Sequence, residues 1–194
     1  RQVGIIFDDF KILTDPWLVD GEYYGSWNHY PNFNLDEKLS EINSYDAIYI
    51  SHIHPDHCSE KTLNRLRKDI PIYIHSYHSK FLKRKINNLG FRVIELENNK
   101  RFCLTDKIGI NIIAADDCNP QLCYKFIGCA DLNANGGSQQ IDSVCIVDDG
   151  KDVILNLNDS PYQLVSKLAK KIKTQYEKIS ILLEKEVADL RLTY

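Results

Sequence analysis

The chain is 194 residues long with 43% hydrophobic content, enough to bury a core of its own, and its length favours a single domain. Its formal net charge is -3 and its basic residues gather only in short runs such as Lys83-Arg84-Lys85 and Lys170-Lys171, which argues against a nucleic-acid partner. No apolar stretch approaches the roughly 20 residues needed to cross a bilayer, and the first residues do not read as a signal-peptide core, so the expectation is a cytoplasmic protein without a membrane partner. In chain order, apolar and alternating runs predict strands at 3–7, 11–14, 47–50, 70–75, 91–95, 101–104, 109–114, 143–147, 152–157 and 179–183. Helical spacing predicts 35–42 behind Asn34 as cap, 59–67 behind Ser59, and 77–89 ending at Gly90. A fourth helix, 160–176, has Pro161 in its first turn and sets Leu164, Val165, Leu168, Ala169, Ile172 and Tyr176 on one face. Many strands with few helices between hairpin-like pairs argue for two sheets flanked by helices. Asn133-Ala134-Asn135-Gly136-Gly137-Ser138 is the clearest loop.

Two features bear on chain continuity. The sequence holds no methionine, and at Leu183-Glu184 a buried-strand pattern runs straight into a helical one. The reading is one domain over 1–194, with a break in the chain expected, if anywhere, at 183–184. The six cysteines at 58, 103, 118, 123, 129 and 145 read as reduced and partly buried; the spacing of 118, 123 and 129 fits neither a common ferredoxin pattern nor a CxxC zinc knuckle.

Chemistry concentrates in His52-Ile53-His54-Pro55-Asp56-His57, which places three of the chain's six histidines and a carboxylate directly after the strand-like Ala47-Ile48-Tyr49-Ile50. On extended backbone, residues two apart point the same way, so His52 and His54 can grip one ion. Asp56 and His57 follow one loop turn later, placed for a second ion at the separation of about 3.5–4 Å usual in two-metal sites. The plain alternative is a histidine-rich surface turn. His75 and His78 read as structural or solvent-facing. Trp17, Tyr23, Tyr24, Trp27, Tyr30 and Phe33 crowd one glycine-punctuated segment, either as core and turn packing or as an aromatic wall beside the metals.

The six-residue pattern resembles the HxHxDH signature of the metallo-β-lactamase superfamily. With Thr14-Asp15-Pro16-Trp17-Leu18, Tyr49-Ile50-Ser51-His52 and Ile154-Leu155-Asn156-Leu157-Asn158-Asp159, the chain looks like the branch containing the metallo-β-lactamase-like domain of CMP-N-acetylneuraminate hydroxylases. Ascorbate-6-phosphate lactonases and N-acyl-phosphatidylethanolamine phospholipases D are more distant relatives. The resemblance spans about 3–183 and implies an α/β fold, the αββα sandwich of two mixed sheets flanked by helices. It implies that Asp15 braces the histidine loop from behind and that Asp159 bridges both metals, while Asp159 also reads as the cap of the helix that follows. The hydroxylase relatives carry a Rieske centre in a separate domain, and this chain lacks the paired Cys and His ligands of one.

The chain also departs from that pattern. No histidine follows His78, whereas the superfamily usually supplies a third histidine to the first metal after a mid-chain strand. The segment after the strand at 109–114 reads Ala115-Asp116-Asp117-Cys118, so Asp117 or Asp116 stands where that histidine would be; a competing alignment puts Ser138 there. A carboxylate at this place would shift preference from Zn toward Mn, Fe or Mg. The expected cofactor is one or two divalent ions, Zn first and Mn or Fe next, held by His52, His54, Asp56, His57, Asp159 and Asp117, with Asp56 also handling the proton. The expected function is a metal-dependent hydrolase of a small anionic substrate, acting through metal-activated water on an ester, lactone, amide or phosphoester bond. The alternative is a non-catalytic or accessory hydroxylase-like domain with an incomplete metal site, binding a nucleotide sugar or a partner protein.

Overall fold

The computed structural model describes residues 3–31, 33–77, 80–114, 143–160, 172–176 and 178–183. The first sheet runs β1 (Val3–Ile6), β2 (Lys11–Thr14), β3 (Ala47–Tyr49), β4 (Ile72–His75), β5 (Val93–Leu96) in spatial order. Only β1 is antiparallel to its neighbour; β2 through β5 are parallel. The second sheet is β10 (Ile181–Leu183), β9 (Val153–Asn156), β8 (Ser143–Asp148), β7 (Gly109–Ala114), β6 (Phe102–Cys103), with β10 parallel to β9 and the other pairs antiparallel.

Period-two alternation makes the layers. In β3, Ile48 and the following Ile50 point to the helical side of the first sheet, where they meet Leu63, Ile72, Ile74, Leu82 and Ile86. Ala47 and Tyr49 point the other way, into the space between the sheets, with Ile12, Ile110, Ile112, Cys145 and Val147. The outer face of the second sheet carries Ile113, Val144, Ile146 and Leu155, covered by Ile172 and Tyr176. Both faces of the inner strands β3, β4, β7 and β8 are therefore buried, which is why β7 and β8 read as nearly continuous apolar runs, whereas the edge strands β1, β6 and β10 are part-exposed. The layering is αββα. Truncating a fully buried side chain such as Ile48 to Ala would cost about 2–5 kcal/mol.

Helix α2 (Leu35–Ile42) begins where Asn34 Oδ1 accepts the Asp36 N–H at 3.1 Å, and α4 (Phe81–Asn88) runs into Gly90, whose φ of 88° no side-chain-bearing residue adopts cheaply. Helix α3 (Glu60–Leu63) is shorter than the 59–67 expected: Ser59 caps it, but Arg65 N–H bonds to Thr62 O and Leu66 N–H to Leu63 O, the tighter spacing of a winding-down turn. The strand expected at 70–75 begins at Ile72, and that at 179–183 begins at Ile181. A one-turn element, α1 (Glu22–Gly25), lies in the aromatic segment where no regular element was expected. Most of the helix expected at 160–176 and the loop at 133–138 fall outside the described residues, and the 183–184 junction lies at their edge. Among the described residues no helix is long and apolar enough to cross a membrane, and Cys58, Cys103 and Cys145 are free.

Candidate metal centre

Loops leaving parallel strands emerge on one edge of the sheet, and the candidate residues sit there. Asp15 follows β2, residues 51–57 follow β3, and Asp159 follows β9 of the facing sheet.

Asp15 is the buried base of the site. Its φ is 43°, a conformation that Asp tolerates better than most residues, and its N–H bonds to Tyr49 O at 2.9 Å. Its Oδ1 accepts the Ser51 N–H at 2.7 Å; its Oδ2 accepts the Ser51 hydroxyl at 2.8 Å and lies 3.0 Å from His57 Nδ1. The Ser51 hydroxyl has one proton, and it goes to Asp15. Ser51 Oγ, 2.9 Å from His52 Nδ1, can therefore only accept there, so His52 carries its proton on Nδ1 and turns Nε2 outward. The Ser51 carbonyl is pinned by the hydroxyls of Tyr77 at 2.6 Å and Ser143 at 3.0 Å.

Beyond Ser51 the chain turns back on itself. His57 and Cys58 donate their N–H groups to His54 O at 3.0 and 2.7 Å, which brings the His57 ring to 4.1 Å from that of His52. His52 Nε2 and His54 Nδ1 are 2.8 Å apart. His57 Nε2 is 3.4 Å from Asp56 Oδ2 and 3.5 Å from Asp159 Oδ2. Donor atoms of His52, His57 and Asp159 all lie within 4.8 Å of one another. Asp159 is delivered by Asn158, whose φ is 52° and whose side-chain amide donates to Ser143 O at 2.8 Å and to Tyr49 Oη at 3.3 Å. The structure thus gathers His52, His54, Asp56, His57 and Asp159 into one cluster above Asp15. Asp116 and Asp117 lie outside the described residues, as do Cys118, Cys123, Cys129 and His78. His75 is buried at the end of β4, with Nε2 3.3 Å from Asn98 Oδ1 and its ring against Tyr77.

The electrostatics follow from this crowding. Burial alone would push the His57 imidazole down, but hydrogen bonds to Asp15, Asp159 and Asp56 outweigh it and hold the pKa up at about 11. Burial and the neighbouring His57 push His52 down to about 3. Burial would raise Asp56; hydrogen bonds to His57 and Tyr23 overcome that and hold it well below the usual carboxylate range. Without a metal, one imidazolium therefore sits among three carboxylates, beside a neutral imidazole. That donor chemistry suits a divalent cation: a positive charge is already required at the centre of the cluster, and imidazole nitrogens and carboxylate oxygens are the ligands such ions take.

The aromatic segment is divided. Trp17 packs on Trp27 at 6.0 Å and on His29 at 4.5 Å, whereas Tyr24 and Tyr30 are exposed. Tyr23 packs on Trp27 at 4.7 Å, and its hydroxyl donates to Asp56 Oδ1 at 2.7 Å. Tyr23 and Tyr24 have φ of 47° and 60°, left-handed conformations that cost on the order of 1–3 kcal/mol each in side-chain-bearing residues. The sequence assigns no role to Ser51, Tyr77, Ser143 or Asn158, and none to Tyr23 beyond the aromatic group. Ser51 alone carried a signal, by standing directly before the first histidine.

Two sheets with helices outside and a histidine loop at the sheet ends define the metallo-β-lactamase fold. The chain belongs to this superfamily: the family described as Beta-lactamase superfamily domain matches residues 4–176. Its relatives include the cytidine monophosphate-N-acetylneuraminic acid hydroxylase of Sus scrofa, 41% identical over 71 residues, covering 34% of this chain and 16% of that protein. A Rieske-like 2Fe-2S iron-sulfur protein of Mycobacterium tuberculosis strain CDC 1551 / Oshkosh is 28% identical over 152 residues, covering 77% of this chain and 26% of its own length. The chain thus spans about a quarter or less of these curated relatives. Among solved structures, the isothiocyanate hydrolase from Delia radicum gut bacteria shares the fold with a TM-score of 0.63 at 18% identity, covering 89% of this chain and 64% of that one.

Proposed function

We propose that this chain is a metal-dependent hydrolase of a small anionic molecule. The observation that carries the reading is the convergence of His52, His57 and Asp159, with His54 and Asp56 directly beside them, on a buried Asp15–Ser51 base. His52 and His54 would hold one divalent ion, Asp56 and His57 a second, and Asp159 would reach both. Zn is the first candidate, and Mn or Fe follow if Asp116 or Asp117 completes the set. Such ions would supply a bound water of pKa about 7 and Lewis acidity at an ester, lactone, amide or phosphoester centre. The chain's own residues do the rest. Asp15 and Ser51 would fix the histidine rings, and Asp56, held at one oxygen by Tyr23, would be the group that takes up and returns a proton. The test is a panel of small anionic lactones, esters, amides and phosphoesters, assayed with wild type, Asp56→Asn and chelator-treated protein. Turnover that chelator abolishes and Asp56→Asn cuts sharply supports the reading; turnover indifferent to both contradicts it.

A second reading rests on the 71 residues that are 41% identical to the cytidine monophosphate-N-acetylneuraminic acid hydroxylase. There the chain is an accessory, non-catalytic domain that binds a nucleotide sugar or a partner protein. It predicts no hydrolysis of any panel compound together with measurable heat on titrating a CMP-sugar.

A further inference from the structure

The strained turn at Tyr23 is unexplained by packing alone. Tyr23 and Tyr24 both occupy the left-handed region, between Gly21 and Gly25 at φ of 89°. Such conformations persist only where the surroundings over-determine them. Here the surroundings are three ties. The Glu22 carboxylate accepts the Ser59 hydroxyl at 2.6 Å, Lys61 Nζ donates to Gly21 O at 2.6 Å, and Gly21 N–H bonds to Trp27 O at 2.8 Å while Trp27 N–H bonds to Glu22 O at 3.1 Å. Two of these ties run to residues just after the histidine loop, so the turn is clamped to the segment that carries the candidate ligands. What the clamp achieves is the aim of one hydroxyl: Tyr23 Oη donates to Asp56 Oδ1 at 2.7 Å, with the ring backed by Trp27.

We infer that Tyr23 is a positioning residue of the metal centre: by occupying Oδ1 of Asp56 it commits that carboxylate to a single-oxygen role, with Oδ2 facing His57. This inference rests on the metal-centre reading and goes beyond it by assigning a residue thirty-three positions away to the ligand shell's geometry. An unrestrained Asp56 could rotate, presenting either oxygen or both; the tyrosine removes that freedom. A hydrogen-bonded partner behind a metal ligand is generally needed for full affinity, and losing one typically costs about 10–100-fold.

The experiment is a double-mutant cycle read by metal binding and not by turnover. Wild type, Tyr23→Phe, Asp56→Ala and the double variant are stripped of metal. Zinc affinity is then measured by competition with a chromophoric chelator, and the ligand field by the visible absorption of the Co2+ form. Phe keeps the ring against Trp27 and removes only the hydroxyl. The expected result is about a 10–100-fold loss of zinc affinity in Tyr23→Phe, a changed Co2+ spectrum, and no further loss when Tyr23→Phe is added to Asp56→Ala. Wild-type affinity and spectrum in Tyr23→Phe overturn the positioning role while leaving the metal centre intact. An equal loss in the Asp56→Ala background also overturns it, because Tyr23 would then act by another route. If wild type itself binds neither zinc nor cobalt, the metal-centre reading falls and takes this inference with it.

Discussion

Replacing Asp15 with alanine tests the base on which the whole site stands. The carboxylate is buried and takes three donors: the Ser51 N–H, the Ser51 hydroxyl and His57 Nδ1. Ser51 Oγ, 3.3 Å from His57 Nδ1, can still accept from that ring, but the buried Ser51 amide and the Ser51 hydroxyl proton both lose their acceptor. Each buried donor left without a partner costs about 1–3 kcal/mol, so the pair is worth about 2–6 kcal/mol. At about 2–4 °C per kcal/mol for a chain of this size, the melting midpoint of metal-free Asp15→Ala falls by about 4–24 °C. Asp15→Asn keeps the shape, the acceptor for the Ser51 amide and the tolerance for φ of 43°, so it recovers part of the loss. Calorimetry of metal-free protein measures both. A midpoint for Asp15→Ala within about 2 °C of wild type would mean that these donors find water or other acceptors at no cost, and that Asp15 does not hold the site together.

Other outcomes follow from the same contacts. In the metal-free protein, the raised pKa of His57 means that its contribution to stability is fully present below about pH 6.5 and is lost as pH rises toward about 11. His52, held down to about 3, acts in the opposite sense: its contribution is full above about pH 6.5 and is lost as pH falls toward 3. Urea unfolding across pH 5–10 should therefore show a maximum near pH 6.5 that His57→Asn flattens on the alkaline side; an unchanged alkaline limb would contradict this. Because zinc must displace the His57 proton, titration calorimetry at pH 8 in buffers of different ionisation enthalpy should show proton release on binding, and none would count against His57 as a ligand. Asn158→Ala loses bonds to Ser143 and Tyr49 and places alanine at φ of 52°, so zinc affinity and stability should both fall, the latter by about 1–3 kcal/mol; equilibrium unfolding and chelator competition read the two. If a carboxylate replaces the missing histidine, Asp117→Ala or Asp116→Ala lowers the metal bound per chain, whereas unchanged stoichiometry in both favours the accessory-domain reading.

The fold was legible where one physical signal dominated. Alternation in Ala47-Ile48-Tyr49-Ile50 separates helix side from sheet side, Asn34 announces α2, and Gly90 ends the α4 segment because its φ demands glycine. Length failed where tertiary contacts decide it, as in α3, which stops after one turn although the sequence continues in helical spacing to residue 67. The histidine loop was legible because its chemistry is local: six adjacent residues supply most of the donors. Ser51, Asn158 and Tyr23 were not, because each acts through a partner that the fold brings in: Asp15 across 36 residues, Ser143 across 15, Asp56 across 33. The two left-handed tyrosines left no trace in the sequence beyond their flanking glycines, since nothing in residue type announces a backbone that only surrounding ties hold in place.

The central claim, that His52, His54, Asp56, His57 and Asp159 form a metal centre, is tested most directly by metal stoichiometry. Purified chain is stripped with chelator, reconstituted with a slight excess of Zn2+, desalted and assayed by elemental analysis, alongside a His52→Ala/His57→Ala/Asp159→Ala variant shown by circular dichroism to be folded. Wild type should return with one to two equivalents of zinc and the triple variant with none; wild type that comes back without metal, or a triple variant that retains as much as wild type, would mean that these residues form no metal centre.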